Sequence, residues 1–316
     1  MTGDKQKLFG ELTELFDACE GNVIPEEEAL PGCAGLVMFE RPLFGVSAAD
    51  DPVWETFRLP DVIGDNFLPP EEWLPGARSV LSFYLPFSER VRASNRGDPE
   101  NTSPEWLHAR IEGQTFINAY TERIRAYFEG RGGKACVPAL DPRFAVRTTP
   151  LPEGDPKGVH IASNWSERHV AYASGLGTFC LTRGLISKKG VAGRYGSVIV
   201  TEAIEPDARP YTGVYEWCAR CGACVARCPA GAMSPEGGKD QIRINSVCPG
   251  IIQTAMLDSF CIDHGIDPVE FGRGSAVLGR LAQPIEVAKA SLWLCTDDAS
   301  YVTATNITVD GGYCEI

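Results

Sequence analysis

Four cysteines, Cys218, Cys221, Cys224 and Cys228, fall in the run CARCGACVARCP, spaced Cys-x-x-Cys-x-x-Cys-x-x-x-Cys-Pro. At that spacing a tight loop can present three thiolates to one [4Fe–4S] cube, while the fourth, held by the following proline, points away toward a second cluster. A structural zinc site would take two Cys-x-x-Cys pairs separated by a longer loop. Disulfides are not expected in a chain that reads as cytosolic. The spacing therefore predicts an iron–sulfur site with these four cysteines as metal ligands.

The 316 residues are 44% hydrophobic, enough for two domains with a sizeable core. The opening MTGDKQKLFGELTELF has no apolar core or cleavage site of a leader, and no stretch approaches the length of a membrane span. A cytoplasmic location without membrane attachment is expected. The other eight of the twelve cysteines are scattered and read as reduced packing residues. A net charge of −13 argues against general nucleic-acid binding. Between Cys180 and Ala230, however, seven basic residues face four acidic ones, so a polyanion or an acidic redox partner could dock there. Solvated loop cations explain the same excess.

Several elements would position the cysteines. Leu8, Leu12, Leu15 and Phe16 share one face of an amphipathic helix over 8–19. Gly21 to Gly76 reads as irregular connections around brief strands such as Ala34 to Met38. RSVLSFY, Arg78 to Tyr84, reads as a buried strand. Ser103 and Pro104 open a helix carrying Ile117, Tyr120, Ile124 and Tyr127, ended by Gly130. Pro138 to Gly158, with five prolines, reads as a loop over a pocket. Glu167 to Tyr172 reads as a helix broken by Gly175 and Gly177, and SVIVT, Ser197 to Thr201, as a strand leading to the cysteines. Glycines this dense let backbone approach something flat or bulky, although loop geometry accounts for them equally.

ERHVAYASGLGTF, GLISKKGVAGRYGSVIVTEAIEP and YEWCARCGACVARCPAGAM, with PEEWLPGARSVLSFYLPFSERVRASNR, resemble the iron–sulfur relatives of epoxyqueuosine reductase, themselves related to reductive dehalogenases. The resemblance runs from about residue 30 to Lys239. It implies an α/β substrate domain fed with electrons by a ferredoxin-like segment, with a corrinoid in the best-known members. It assigns Cys218, Cys221 and Cys224 to a proximal cluster and Cys228 to a second. The family's upstream aspartate and its Gly-Lys-Asn are replaced here by Ser163-Asn164-Trp165 and Thr178-Phe179-Cys180. Glu167, Arg168 and His169 are then the catalytic candidates, a salt-bridged helix start being the plainer alternative.

Beyond Lys239 the text changes. IRINSVCPGIIQTAML and GRLAQPIEVAKASLWLCTDDASYVTATNITVDGGY, within Gln241 to Tyr313, resemble the carboxyl-terminal quarter of a short-chain dehydrogenase/reductase. The pattern predicts a strand over Ile242 to Val247, a Cys-Pro-Gly turn and a substrate-loop helix. A helix from Pro284 comes next, with Ile285, Ala288, Leu292 and Cys295 on one face, then a strand over Thr305 to Val309. Two parallel strands and their crossover make one Rossmann-type unit. By that resemblance Pro249, Gly250 and Thr254 are cofactor-binding residues at the nicotinamide end. No glycine-rich turn follows a first strand, and none of the nine tyrosines has a lysine four places on, so NAD(P) is not expected to bind and the tail reads as a structural graft. Cys248 is a candidate replacement ligand for the cluster; Cys180, Cys261, Cys295 and Cys314 read as packing residues.

These expectations make the fold α/β: an α+β reductase-like domain over 1–205, a ferredoxin-like 4Fe–4S segment over 206–239 and a partial Rossmann βαβ unit over 240–316. The expected function is an iron–sulfur oxidoreductase or electron-transfer protein, with a corrinoid as a further candidate cofactor. Its expected partners are an electron donor such as ferredoxin or flavodoxin and a small-molecule substrate, with tRNA left open. An exposed half-sheet implies that the tail either packs on the ferredoxin-like segment or drives a homodimer through the C-terminal strand. The alternatives are an NAD(P)-dependent short-chain dehydrogenase and a hybrid chain, joined near Lys239, without activity of its own.

Overall fold

The computed structural model describes residues 3–96, 102–150, 159–228, 233, 245–299, 301–302 and 305–315. The chain divides into two units, Met1–Thr149 with Ile161–Asp240, and Pro150–His160 with Gln241–Ile316. The order begins α1 (Gly3–Asp17), β1 (Leu43–Ala48), α2 (Val53–Thr56), α3 (Pro70–Trp73), β2 (Ser79–Pro86), α4 (Glu89–Ser94), α5 (Pro104–Gly130) and β3 (Ala135–Cys136). It continues with β4 (Val146–Pro150), β5 (Val159–Ser163), α6 (Glu167–Ala173), β6 (Gly177–Phe179), β7 (Leu185–Ser187), β8 (Gly193–Val200) and α7 (Ala223–Ala226).

The main sheet of the first unit has the order β1-β2-β8-β3, and every pairing in it is antiparallel. Every residue of β2 is buried, as the run of branched and aromatic residues predicts. Side chains alternate across a strand, so β2 feeds both faces. Leu81, Phe83 and Leu85 pack with Leu12 and Phe16 of α1 and Phe116, Tyr120 and Ile124 of α5. Val80 joins Trp54, Phe67 and Trp165 on the other side, and Tyr84 joins Leu176 and Phe179. Each such side chain contributes roughly 1.5–3 kcal/mol by leaving water. The Ser103 hydroxyl accepts the Trp106 amide at 3.1 Å and caps α5 as expected.

Two local expectations fail. Ala34–Met38 forms no strand, only an isolated bridge between Val23 and Val37. The proline-rich run after Pro138 contains β4, which pairs with β5. The glycine-dense stretch, in turn, serves packing of the chain on itself. A Cβ on Gly177 would meet the Ile186 carbonyl of β7 at 1.8 Å, and one on Gly196 the Phe83 ring at 2.3 Å.

The second unit contains β9 (Ser246–Pro249), α8 (Ala255–His264), α9 (Pro268–Ser275), α10 (Pro284–Leu294) and β10 (Asn306–Val309). β9 and β10 are parallel, Val247 opposite Ile307, with the three helices in the crossover between them. Of the strand expected over 242–247, Ser246 and Val247 belong to β9, which runs on to Pro249, and residues 242–244 lie outside the described residues. Local signals set the helix ends: Thr254 caps α8, Asp267 caps α9 through the Val269 and Glu270 amides, and Gln283 and Glu286 form a capping box on α10. The face of α10 expected inside is outside. Ile285 and Leu292 are 58% and 67% exposed, whereas Leu294 is buried. α10 is apolar around most of its girth, and the two-stranded sheet covers only one side of it. The packing role expected of Cys180 and Cys261 agrees with their burial; Cys295 and Cys314 are exposed and do not pack. Among the described residues no helix is long and apolar enough to cross a membrane.

Candidate functional site

The cysteine run is held by ordinary turn bonds. The Cys218 amide donates to the Tyr215 carbonyl at 3.0 Å and the Cys228 amide to the Val225 carbonyl at 3.2 Å. Gly222 takes φ 72° and starts α7, a single turn containing Cys224. Cys221 is exposed and the other three are half-buried. Among the described residues no three of Cys, His, Asp and Glu converge in a group able to hold a metal ion. The four thiols are strung along a loop and one helical turn, so their spacing does not become a ligand set. Cys248, exposed on β9, joins no such group either.

Glu167, Arg168 and His169 open α6, but they point to different fates. Arg168 is exposed and donates to the Arg183 carbonyl at 2.7 Å. The His169 ring lies between Phe57 and Phe179, centroids 5.1 and 4.9 Å away, with Nδ1 at 2.8 Å from the Ser166 hydroxyl. Burial, aided by the Arg168 charge, pushes it down to about 4, so it is a neutral packing histidine near pH 7. Glu167 has the reverse character. Both of its carboxylate oxygens are buried without a hydrogen-bond partner. Burial pushes it up to about 7, tempered by Ser197 and Trp165, which stand close but bond to each other at 3.0 Å. The salt bridge that would explain this helix start is not formed by Glu167. Glu167 is among the residues lining a cavity of about 550 Å³ between α5, the segment after β3, and β8, but its carboxylate oxygens are closed off from that space.

In the second unit Pro249 ends β9, Gly250 follows it, and Thr254 caps α8 four residues further on. The Gly250 amide donates to the Val309 carbonyl at 3.1 Å, closing the ends of both parallel strands. A Cβ on Gly250 would meet Asp310 Cα at 2.6 Å, so only glycine fits. Asp310 in turn accepts the Gly312 and Cys314 amides, each at 2.9 Å, and these hold its carboxyl below the usual range. Thr254 Oγ1 accepts the Leu257 amide at 3.4 Å. Beside this end lies a second cavity of about 320 Å³, lined by Ile251, Leu281, Val309 and Gly311 among others. In open α/β sheets ligands bind outside the carboxyl ends of parallel strands.

A family model described as enoyl-(acyl carrier protein) reductase matches residues 177–314. The C-terminal part of the chain resembles the short-chain dehydrogenase/reductases. A meso-2,3-butanediol dehydrogenase of Serratia marcescens is 35% identical over 120 residues, 37% of this chain and 44% of that protein. A cyclopentanol dehydrogenase of Comamonas testosteroni is 44% identical over 75 residues, 23% of this chain and 28% of that protein. A solved short-chain dehydrogenase family protein from Francisella tularensis is 32% identical, covers 25% of this chain and 35% of its own, and superposes with a TM-score of 0.23. The chain spans less than half the length of these relatives.

The iron–sulfur expectation is thereby overturned. The matched span runs through all four cysteines, the relatives are dehydrogenases, and the thiols do not converge. The 4Fe–4S cluster, the corrinoid and the exclusion of NAD(P) fall with it, as does the ferredoxin-like segment. The resemblance of residues 30–239 to epoxyqueuosine reductases has no support among these relatives. What the sequence did not reveal is the isolation of the Glu167 carboxylate, because its burial depends on Trp165, β8 and α5, which no local pattern connects.

Proposed function

We propose that the chain is an NAD(P)-dependent oxidoreductase of the short-chain dehydrogenase type. The match over 177–314, with Pro249 and Gly250 at the carboxyl end of β9 and Thr254 capping the helix that follows, carries this reading. The dinucleotide would supply or accept a hydride there. Secondary alcohols and their ketones are the substrate class favoured by the names of the relatives. Pro249 presents no N–H, and Gly250 lets the loop fold back on Asp310, so Ile251 to Thr254 leave the strand end on a fixed course. Thr254 keeps the first turn of α8 formed beside that end.

The residues present fit the nicotinamide end of the cofactor and not its pyrophosphate, since the sequence has no glycine-rich strand-to-helix turn; it also lacks a Tyr-x-x-x-Lys pair, the dyad that transfers the proton in that family. Binding is therefore weak, with a Kd on the order of 1 mM, which corresponds to about −4 kcal/mol. Titration of the full chain with NADH and NADPH, followed by nucleotide fluorescence, should saturate, and Gly250→Val should abolish saturation. Absence of saturation with both nucleotides into the tens of millimolar range would remove the proposal.

A further inference from the structure

The main sheet of the first unit leaves a gap that the dinucleotide reading does not use, and what fills it is independent of whether a nucleotide binds at β9. β3 pairs with β8 only at Val200 and Ile199. From Gly193 to Ser197, β8 therefore has β2 on one side and, among the described residues, no strand on the other. The cavity of about 550 Å³ follows that open edge, and Gly193 to Ser197 all line it. Ile117, Leu140, Phe144 and Val191 give it apolar walls.

Arg194 brings a positive charge to these walls without a counter-ion. It is half-buried and donates to the uncharged amide oxygen of Gln114, whose own N–H is spent on Asn118 at 2.8 Å. Burial, with the Arg110 charge, pushes Arg194 below its ordinary range, and no acidic group acts the other way. Glu167 does not compensate it: its oxygens are closed off, and no arginine contributes to its shift. Arg168, on the same lining, gives one N–H to the Arg183 carbonyl and forms no ion pair among the described residues. A guanidinium keeps its proton at ordinary pH and carries five donors, so a charge shielded from water here is costly until an anion meets it. A carboxylate takes two parallel N–H bonds from such a fork, and an apolar cavity is matched by an apolar body. We propose that this cavity binds a small, mainly apolar carboxylate, its oxygens accepting from Arg194 while Ile117, Leu140 and Phe144 enclose the body.

2-Naphthoate tests this on the full chain by isothermal titration at pH 6, where Glu167 is largely protonated, beside 2-naphthamide and 2-naphthylmethylamine as uncharged and cationic counterparts. 2-Naphthoate should bind with one-to-one stoichiometry, and the amide and the amine at least tenfold more weakly. Arg194→Met should weaken 2-naphthoate at least tenfold and leave 2-naphthamide unchanged, a split that a collapsed cavity would not give. Val191→Trp, at a half-exposed wall residue, should weaken both by taking up space, and with the three-ligand comparison it decides the matter if the methionine variant misfolds. No binding of 2-naphthoate, equal binding of 2-naphthoate and 2-naphthamide, or undiminished 2-naphthoate binding to either folded variant would overturn the proposal.

Discussion

The two units contrast in how they treat a strand. β2 is buried at all eight positions between β1 and β8, with apolar clusters on both faces. β9 and β10 each leave two or more of their four residues exposed, and the helix between them turns Ile285 and Leu292 to solvent. Parallel strands are ordinarily covered on both faces. Yet the second unit has complete local signals: caps on α8 and α9, a capping box on α10, and Gly265 in the left-handed conformation that ends α8. Helix ends are written within a few residues, while burial depends on partners far along the chain. A segment can keep the first without having the second.

The contrast is broken most directly by truncating one side chain in each unit. Phe83→Ala in β2 should cost about 3–5 kcal/mol, because a fully buried ring leaves a cavity. Leu292→Ala should change stability by less than about 0.5 kcal/mol, because it is already largely in water. Chemical denaturation of the two variants checks this, and equal losses would erase the distinction.

Buried charge sharpens it next. Glu167 rises from 4.5 to about 7, so between those pH values the folded chain holds a proton that the unfolded chain has released, and stability falls as pH rises. His169 falls from 6.5 to about 4, so between those values the unfolded chain holds the extra proton, and stability rises with pH. The two slopes oppose each other where the windows overlap. Glu167→Gln should therefore gain about 3 kcal/mol at pH 8, gain little at pH 4, and expose the rising slope due to His169 between them. Denaturation midpoints across that range measure it. In the second unit Arg280 holds Glu286 below the usual range, but the pair is open to solvent, and Glu286→Gln should leave the pH profile unchanged.

Smaller effects probe the strand end itself. Gly250→Ala should cost about 1–3 kcal/mol locally, since the added methyl meets the Asp310 backbone, and should weaken dinucleotide binding. Thr254→Ala should cost about 1 kcal/mol through the lost cap, read as faster amide exchange in α8.

Legibility in the sequence divides along the same line. The continuous β-rich run in β2, the Ser103 cap and the parallel pairing of the tail were legible because each is a local pattern or a motif. The outward face of α10 was not, because Ile285 and Val287 are equally apolar and only the missing cover decides between them. The cysteine spacing misled for a related reason: spacing states which thiols could meet, and the fold of 215–228 keeps them apart. Glu167 was picked out by its position beside Arg168 and His169, but its lack of any partner became visible only with Trp165 and Ser197 in place.

Hydrogen exchange of the full chain, with and without saturating NADPH, tests most directly whether the end of β9 is a nucleotide site. Slower exchange in residues 246–254 and 306–312, with β2 unchanged, is the expected result. Unchanged exchange in both segments, or protection confined to the first unit, would contradict the assignment.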